Sequence, residues 1–371
     1  MVLFLHNRYR TTGGEERVVA DLMGLVREQL GERAELLDRD SATLGRLGAA
    51  AGLLRGGLKP DEVAGAVRLT GARVLHAHNL NPAFGWRALA AARAAGARVV
   101  LHLHQYRIVC AIGVCFTRGA ECTRCHGRNT LPGVRLNCRD SLPEAAAYGA
   151  SLALWQRRLA EQADAVIVPS AFARERLREL GAPLHWERVH VLPPPVAVAA
   201  SESRAAAGGY ALVVSRLAPE KGVDVAIDAC RAAGMSLVVA GEGPEGASLQ
   251  ARAGDSDVRF VGHVDDAELA ALRAGAAVAL VPSRSAETFG LAAAEAMAAG
   301  LPVVASRVGA LGELVEEQGL VPAGDANALA QAIDRLVGDP AAGARGLERV
   351  RALCSPEAVA RGLADIYEPG G

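Results

Sequence analysis

The stretch AVALVPSRSAETFGLAAAEAMAAGLPVVA, residues 277–305, predicts a strand, a polar loop, a helix and a second strand in that order. Ala277–Val281 and Pro302–Ala305 are short apolar runs of strand length. Between them, Leu291–Ala299 is rich in strong helix formers and stops at Gly300, a residue suited to the left-handed turn that ends a helix. Two strands joined by a helix within so few residues pair in parallel, so this stretch predicts an α/β fold.

The same alternation of apolar runs and Ala- and Leu-rich helical patterns extends along the whole chain, which predicts doubly wound parallel sheets. Apolar residues at helical spacing from Val18 to Leu30 predict a helix directly after the first strand. The other predicted strands are Val2–Leu5, Arg73–His76, Arg98–Leu103, Ala165–Val168, Ala211–Ser215, Ser236–Ala240 and Val258–Val261.

The chain length predicts two domains, because 371 residues exceed what one hydrophobic core usually organises. The run Pro193 to Pro195 fits neither a helix nor a central strand and marks the boundary. We predict an N-terminal domain of residues 1–195 and a C-terminal domain of residues 196–355. We also predict a final helix, residues 356–371. One option is that this helix packs back on the N-terminal domain. Both domains are expected to be Rossmann-like and to face each other across a cleft.

Composition excludes several classes of protein. The net charge of -1 gives no basic field of the kind that binds nucleic acid. No stretch approaches the roughly 20 consecutive apolar residues of a transmembrane helix. Met1–Leu5 is too short for the apolar region of a signal peptide and lacks a preceding basic segment. We expect a cytoplasmic protein with no nucleic-acid partner and no transmembrane segment, and peripheral membrane contact stays open.

The loops after the strands are the candidate sites, because doubly wound sheets bind ligands beyond the carboxyl ends of their strands. The loop SRLAPEKG, residues 215–222, carries Arg216 and Lys221 between a strand and a helix. Two cations that converge there can neutralise a pyrophosphate without a metal ion. The competing interpretation is a solvated turn with surface charges.

Two carboxylates lie on either side of a predicted helix start. Glu287 precedes the helix and Glu295 lies within it. The backbone N–H groups of Phe289, Gly290 and Leu291 offer the positive end of the helix to a phosphate. Carboxylates accept hydrogen bonds from vicinal hydroxyls, so Glu295 fits a ribose and Glu287 a transferred sugar. The competing interpretation is that Glu287 caps the helix and Glu295 is a surface residue of it.

Glycine-containing turns follow other predicted strands. The pair Gly13 and Gly14 lets backbone amides approach an anionic ligand at a helix start. A tight turn that needs positive φ explains the pair equally well. The candidates for a nucleobase pocket are Gly241, Gly243, His263 and Val264.

Together these motifs resemble the family 4 (GT4) retaining glycosyltransferases of the GT-B fold. The resemblance runs nearly from end to end, over segments that include residues 7–16, 215–222 and 287–305. It implies a nucleotide-sugar donor, with UDP-sugar as first choice, and no cofactor for the chemistry. It places the donor pyrophosphate at Arg216 and Lys221, with Gly14 beside it. It places the ribose at Glu295, and the donor sugar at Glu287 and the amides of residues 289–291.

The segment LHLHQYR, residues 101–107, contains the histidine that the resemblance places in the active site. His104 follows a predicted strand end, where an imidazole can hydrogen-bond a sugar hydroxyl. The family pattern has Asp or Asn next, so Gln105 departs from it, and His102 is interpreted as structural. With no carboxylate placed as a nucleophile, the resemblance favours front-face displacement. The predicted catalytic set is His104, Glu287, Arg216 and Lys221.

Five of the seven cysteines lie within the segment 108–140. Cys122 and Cys125 have the spacing of a metal knuckle. A subset of the family has a similar cysteine-rich insert after the active-site histidine, which implies a structural zinc site. Reduced thiols, a redox-labile disulfide and His126 in place of one ligand stay open. The implied ligands are Cys110, Cys122, Cys125 and Cys138, which leaves Cys115 spare.

We therefore expect a glycosyltransferase that acts on a small-molecule or glycan acceptor: a saccharide, a natural product or a lipid-linked intermediate. Arg8, Tyr9, Arg10 and the cysteine-rich segment are acceptor-site candidates. One alternative is a GT-B nucleotide-sugar epimerase or phosphorylase, which the spacing of the two carboxylates disfavours. A zinc-bearing, non-enzymatic adaptor is the second alternative, which the near-neutral charge disfavours.

Overall fold

The computed structural model describes residues 1–8, 13–198 and 203–368. The predicted acceptor candidates Tyr9 and Arg10 lie outside the described residues. Backbone contacts divide the chain into two compact units. The N-terminal unit comprises Met1–Thr117, Cys122–Pro195 and the segment from Pro356 onward, and the C-terminal unit comprises Arg118–Glu121 and Val196–Ser355.

The N-terminal unit is built on a six-stranded parallel sheet with the order β2-β1-β3-β4-β7-β8. Its strands are β1 (Val2–Arg8), β2 (Ala34–Asp40), β3 (Val74–Ala77), β4 (Arg98–His102), β7 (Ala165–Val168) and β8 (Val189–Val191). The pair β5 (Phe116–Thr117) and β6 (Ala120–Glu121) forms a separate two-stranded sheet. The helices are α1 (Gly14–Glu28), α2 (Gly45–Arg55), α3 (Pro60–Thr70), α4 (Gly85–Ala94), α5 (Leu131–Arg135), α6 (Leu142–Gln162), α7 (Ala171–Glu179) and α15 (Pro356–Tyr367).

The C-terminal unit has a second six-stranded parallel sheet with the order β11-β10-β9-β12-β13-β14. Its strands are β9 (Tyr210–Val214), β10 (Leu237–Ala240), β11 (Val258–Gly262), β12 (Ala276–Val281), β13 (Val303–Ser306) and β14 (Leu320–Val321). The helices are α8 (Val223–Ala233), α9 (Gly246–Ala253), α10 (Asp266–Ala274), α11 (Leu291–Ala298), α12 (Leu311–Leu314), α13 (Ala326–Leu336) and α14 (Pro340–Cys354). The predicted α/β fold class, with two Rossmann-like parallel sheets, is confirmed.

Each sheet has one point where the strand order reverses. In the C-terminal unit the chain proceeds from β9 outward through β10 and β11, and then returns to the other side of β9 as β12. The loops after β9 and β12 therefore diverge and leave a crevice at the carboxyl edge, where such sheets bind ligands. In the N-terminal unit the corresponding point lies between β1 and β3.

The central strands are buried along their whole length, as expected for parallel strands covered on both faces. The strands that the sequence pattern missed lie at or near the sheet edges. β2 reads AELLDRD and is only partly buried, so it lacks an apolar run, while β14 has only two residues. No helix in the described part of the chain is both long and apolar enough to cross a bilayer.

Candidate functional site

The switch point of the C-terminal sheet brings together a lysine and a glutamate from two different loops. Lys221 ends the loop after β9, and Glu287 lies in the loop between β12 and α11. Lys221 Nζ donates to Glu287 Oε1 at 2.7 Å, and Ser283 Oγ donates to the same oxygen at 2.7 Å. Sequence reasoning missed Ser283, although its position four residues before Glu287, directly after a buried strand and Pro282, was a usable signal.

Glu287 is held as a carboxylate. Burial raises the pKa of this group, but the Lys221 ammonium and the hydrogen bonds from Lys221 and Ser283 outweigh burial and leave the pKa below its usual value. Both hydrogen bonds go to Oε1, and Oε2 has no partner among the described residues. A carboxylate with one oxygen anchored and the other open can accept a hydrogen bond from a sugar hydroxyl.

Lys221 is one of only two lysines among the 40 Lys and Arg residues of the chain; the other is the exposed Lys59. An ammonium is a compact charge with three donors, so it can hold a carboxylate and a phosphate oxygen together. Arginine, which supplies nearly all the other cations, presents a planar fork that is less able to do so.

Arg216 lies on the same loop and pairs with Glu220. Its side chain is 57% exposed, whereas the Glu220 side chain is only 10% exposed. One terminal nitrogen of Arg216 holds Glu220, and the rest of the guanidinium has no partner among the described residues. Glu220 is also fixed through its backbone, because its carbonyl accepts the Arg284 N–H at 2.8 Å. The loop thus presents an anchored, solvent-facing guanidinium that could pair with an anion.

The loops after β9, β10 and β11 are bound to one another through their backbones. Leu217 N–H donates to the Glu242 carbonyl at 2.9 Å, and Gly241 N–H donates to the Gly262 carbonyl at 2.7 Å. His263 is exposed, and its N–H donates to Glu242 Oε1 at 3.4 Å. The proposed base-pocket segments around Gly241 and His263 therefore lie beside the Arg216 loop.

These loops approach so closely that glycine is required where they cross. A Cβ on Gly241, whose φ is +131°, would lie 2.0 Å from the Ser215 carbonyl oxygen. A Cβ on Gly222, whose φ is +64°, would lie 2.1 Å from the Pro282 carbonyl oxygen. Close backbone approach and left-handed geometry are both conditions that favour glycine.

Replacing Gly243 tests this packing. A Cβ there would lie 2.3 Å from the Leu217 carbonyl oxygen, whereas a Cβ on nearby Gly246 would make ordinary contact at 3.8 Å with a Leu217 methyl carbon. We expect Gly243→Ala to lower the free energy of unfolding by about 1–3 kcal/mol and to weaken nucleotide binding, because the backbone must shift. Urea unfolding measures the loss. Equal stability of Gly243→Ala and the control Gly246→Ala would contradict it.

Helix α11 begins at Leu291 with Gly290 as its N-terminal cap, at a φ of +104°. Glu295 lies one turn into the helix, and its carboxylate pairs with Arg273 at the end of α10. Both side chains are mostly buried, at 13% and 16% exposure. Sequence reasoning missed Arg273; the only available signal was its place in the last turn before β12. Glu295 and Glu287 thus have different cationic partners, Arg273 and Lys221.

The N-terminal unit contains four stacked histidines at the carboxyl ends of β3 and β4. His78 Nδ1 lies 2.8 Å from His104 Nε2, and His76 Nε2 lies 3.2 Å from His102 Nδ1. His76 Nδ1 is 2.7 Å from the hydroxyl of Tyr367 in α15. Because side chains alternate along a strand, His76 and His78 point to one face of the sheet. His102 and His104 of the neighbouring strand point to the same face and lie beside them.

These imidazoles are held in their neutral form. Burial lowers the pKa of His76 to about 3 and lowers the pKa values of His78 and His102 well below the usual range. Burial also lowers the pKa of His104, against the opposing effect of Glu15. A neutral His104 can accept or donate a hydrogen bond to a hydroxyl without bringing a second charge into the site.

Acid should therefore destabilise the N-terminal unit. The unfolded histidines bind a proton below about pH 6.5, whereas the folded ones do not, so stability falls as pH drops below that value. Each histidine that stays neutral contributes about 1.4 kcal/mol per pH unit. We expect thermal unfolding midpoints to fall between about pH 7.5 and pH 5.5. His102→Gln should flatten that dependence, and replacement of the exposed His263 should not; identical pH profiles for both variants would contradict the prediction.

Three of these histidines could come near one metal ion. One ligand atom each of His76, His78 and His102 lies within 4.8 Å of the other two, and no cysteine belongs to such a group among the described residues. However, the ring planes are nearly parallel, with angles of 8° between His76 and His102 and 28° between His78 and His102. A metal ion binds in the plane of an imidazole ring, so stacked rings cannot converge on it. The arrangement favours a hydrogen-bonded histidine ladder.

The five cysteines of the segment 108–140 line one small cavity. Cys110 and Cys115 interact directly: a hydrogen bond from the Cys115 thiol, together with the backbone N–H groups of Ile112, Gly113 and Cys115, lowers the pKa of Cys110 to about 6 in spite of its burial. Burial raises the pKa of Cys125 to about 11. Cys115, which the zinc prediction leaves spare, is thus the partner of Cys110. The predicted zinc ligands line the same cavity without forming a compact set among the described residues.

Gly13, the first of the glycine pair near the start of the chain, does not have the positive φ that a tight turn would require. Gly13 is extended, at a φ of -145°, so it does not serve a left-handed turn. Its N–H donates to Glu16 Oε2 at 2.9 Å, which leaves the amide of Gly14, the first residue of α1, for the predicted contact with the diphosphate. Thr11 and Thr12 of this predicted loop lie outside the described residues.

Each half of the chain matches the sequence model of a protein family. Residues 7–195 match the family described as "Glycosyl transferase 4-like domain", and residues 208–339 match the one described as "Glycosyl transferases group 1". The GDP-mannose-dependent alpha-(1-6)-phosphatidylinositol dimannoside mannosyltransferase of Mycobacterium tuberculosis is 36% identical over 210 residues, which are 53% of this chain and 55% of that protein. The chain spans about half the length of the curated relatives it matches.

Solved structures share the fold over nearly the whole chain. Sucrose-phosphate synthase from Thermosynechococcus elongatus has a TM-score of 0.71 at 22% identity, covering 99% of this chain and 98% of that one. The Anabaena protein HepE, solved in complex with UDP and glucose, has a TM-score of 0.65 at 19% identity, covering 98% of each chain. At these identities the similarity extends to the fold alone.

Proposed function

The chain belongs to the glycosyl transferase 4-like family, and from that premise we propose that it transfers a glycosyl group, with retention, from a nucleoside diphosphate sugar to a hydroxyl acceptor. The observation that carries the proposal is the Lys221–Glu287 pair at the switch point of the C-terminal sheet. It joins a charge for phosphate to a hydrogen-bond acceptor for sugar hydroxyls at the place where doubly wound sheets bind nucleotides.

The donor occupies this site in a defined order. Its pyrophosphate lies between Arg216 and Lys221, which supply a fork and a point charge for the two phosphates. Its sugar lies against the open Oε2 of Glu287 and the N–H groups at the start of α11. Its ribose hydroxyls bind the Glu295 carboxylate, which Arg273 holds in place. The base lies along the loops that contain Gly241, Gly243, His263 and Val264.

The reaction proceeds at the front face of the donor. The bond between the anomeric carbon and the leaving phosphate oxygen breaks, and the acceptor oxygen bonds to the same carbon from the same side. The acceptor proton passes to an oxygen of the departing diphosphate. Lys221, Arg216 and the N-terminal dipole of α11 stabilise the negative charge that develops on the diphosphate. Glu287 positions the sugar and is no nucleophile in this scheme, because Lys221 and Ser283 anchor it.

UDP and GDP are the two bases to compare. HepE is solved with UDP, and the mycobacterial mannosyltransferase is named for GDP-mannose. UDP stays the first guess, and GDP is the competing base because the mannosyltransferase is related in sequence, at 36% identity over 53% of this chain.

Thermal stabilisation by nucleotide sugars tests the proposal. A ligand that binds only the folded state at about 100 times its Kd adds about 2.7 kcal/mol of stability. We expect UDP-glucose or GDP-mannose to raise the melting temperature, while glucose or mannose alone does not. Release of UDP or GDP, followed by chromatography, reports turnover. If no UDP- or GDP-sugar stabilises or is consumed by the chain, the proposed function is wrong.

Structural zinc at Cys110, Cys122, Cys125 and Cys138 stays a prediction. Elemental analysis of the purified, reduced chain decides it, and less than about one tenth of an equivalent of zinc excludes it. The competing arrangement, a disulfide between Cys110 and Cys115, is measured by thiol counting before and after oxidation. Loss of two thiols in the oxidised chain, prevented by Cys115→Ser, supports the disulfide.

A further inference from the structure

The N-terminal unit contains a cavity that opens to solvent beside the histidine ladder. Helix α6 forms one wall, and the segments after β3 and β4 form another. His78 and His104 are among its lining residues. A concave, largely apolar pocket with a few polar groups is the usual form of a small-molecule site.

Two tryptophans form a rigid, flat part of the wall. The ring centroids of Trp86 and Trp155 lie 6.0 Å apart with a tilt of 38°. Trp155 Nε1 donates to the Leu53 carbonyl at 3.1 Å, and Arg158 lies over both rings, 5.1 and 5.3 Å from their centroids. Trp86 packs against Gly56, where a Cβ would lie 2.2 Å from its indole nitrogen. The rings are thus fixed before any ligand arrives.

Apolar side chains make up much of the remaining lining. Trp155 Nε1 donates to a backbone carbonyl, whereas Trp86 Nε1 is buried against Gly56 and has no hydrogen-bond partner among the described residues. The leucines and isoleucine that line the cavity have no polar atoms to offer; they are Leu53, Leu80, Leu101, Leu103, Ile108, Leu152 and Leu159. A saccharide carries a hydroxyl on nearly every carbon, and hydroxyls buried against such a wall would lack partners at a cost of about 1–3 kcal/mol each.

Polar side chains also line the cavity, and two of their buried atoms lack partners. His78 Nε2 and Gln156 Oε1 have no hydrogen-bond partner among the described residues, and their side chains are 3% and 2% exposed. Buried polar atoms are nearly always paired, so these two favour a ligand with a small number of polar groups. Asn79, His104 and Gln105 also line the cavity.

We propose that this cavity binds the acceptor, and that the acceptor has a flat, compact apolar body with its reacting hydroxyl at His104. The inference rests on the proposed function, which supplies the donor and the need for a hydroxyl. The apolar body packs against Trp86, Trp155 and the α6 leucines, while the polar lining side chains hydrogen-bond the hydroxyl. The acceptor class is therefore a hydroxylated aromatic or alicyclic compound.

Calorimetric titration of the full chain with defined probes tests the inference. Naphthol and borneol represent the apolar class, and methyl glucoside and methyl mannoside represent saccharides. We expect the apolar alcohols to bind about tenfold or more tightly than the glycosides. Trp155→Ala and Leu159→Arg should each weaken that binding about tenfold or more. The matched control is Leu154→Arg, which places the same charge on an exposed position of the same helix.

The outcomes separate the two proposals. Glycosides that bind as tightly as the apolar alcohols, undetectable binding of naphthol and borneol, or binding that Trp155→Ala and Leu159→Arg leave intact would each overturn the acceptor class. Melting temperatures check that the variants fold, and UDP binding should be unchanged in them because the donor loops belong to the C-terminal unit. Absence of nucleotide binding in the unaltered chain would defeat the proposed function while the cavity titration still gives its own answer.

Discussion

Lys221→Ala should lower kcat by about a hundredfold or more, because it removes a cation that stabilises charge developing on the departing diphosphate. The loss should exceed the loss of donor affinity, since that charge is larger in the transition state than in the bound donor. The variant also leaves the buried Glu287 carboxylate without its ammonium partner, so burial then raises the pKa of Glu287. Initial rates at saturating donor, with melting temperature as the folding check, measure the effect.

The matched control for this prediction is Lys59→Ala. Lys59 also forms an ion pair, with Glu62 at 2.9 Å, but both side chains are largely exposed and such pairs contribute little. Its replacement should leave kcat within about twofold of the unaltered chain. Unchanged turnover in a folded Lys221→Ala variant would remove Lys221 from the mechanism.

Glu295→Gln should weaken UDP binding about 10- to 100-fold, because a hydrogen bond to a charged group contributes about 1.5–3 kcal/mol. The ribose assignment predicts a more specific result. The unaltered chain should prefer UDP to its dideoxyribose analogue, and Glu295→Gln should largely abolish that preference, since the lost contact is the one to the ribose hydroxyls. Titrations of both nucleotides into both proteins measure the coupling.

Replacement of the exposed Glu348 by Gln controls for the change in net charge. If Glu295→Gln weakens the binding of UDP and of the dideoxy analogue equally, the ribose assignment is wrong. The carboxylate then acts through Arg273 and the packing of α11.

The sequence was sufficient to predict the fold class because its signal is repeated many times. Buried parallel strands are continuous apolar runs, and Ala277–Val281 and Pro302–Ala305 illustrate this in one short stretch. The edge strand β2 was not predicted, because its sequence AELLDRD shows neither a regular alternation of apolar and polar residues nor a continuous apolar run. Strand β14 has only two residues and leaves no periodic pattern to detect.

The site was predictable to the level of loops but not of partners. Chain order places Lys221 and Glu287 each in a loop after a predicted strand, yet only the tertiary structure shows that these strands are neighbours and that the two side chains form a direct ion pair. Arg273 is 22 residues from its partner Glu295 and carries no motif of its own. Likewise, the pairing of Cys110 with Cys115 depends on a local turn that cysteine spacing alone does not specify. Long-range electrostatic partners are a property of the packed fold.

A crystal structure of the chain with a bound UDP- or GDP-sugar would locate the donor site. We predict the diphosphate within hydrogen-bond distance of Arg216 and Lys221, the sugar on Glu287 Oε2 and the ribose on Glu295. A nucleotide sugar bound elsewhere, in contact with none of these four side chains, would show that the loops of the C-terminal unit are not the donor site.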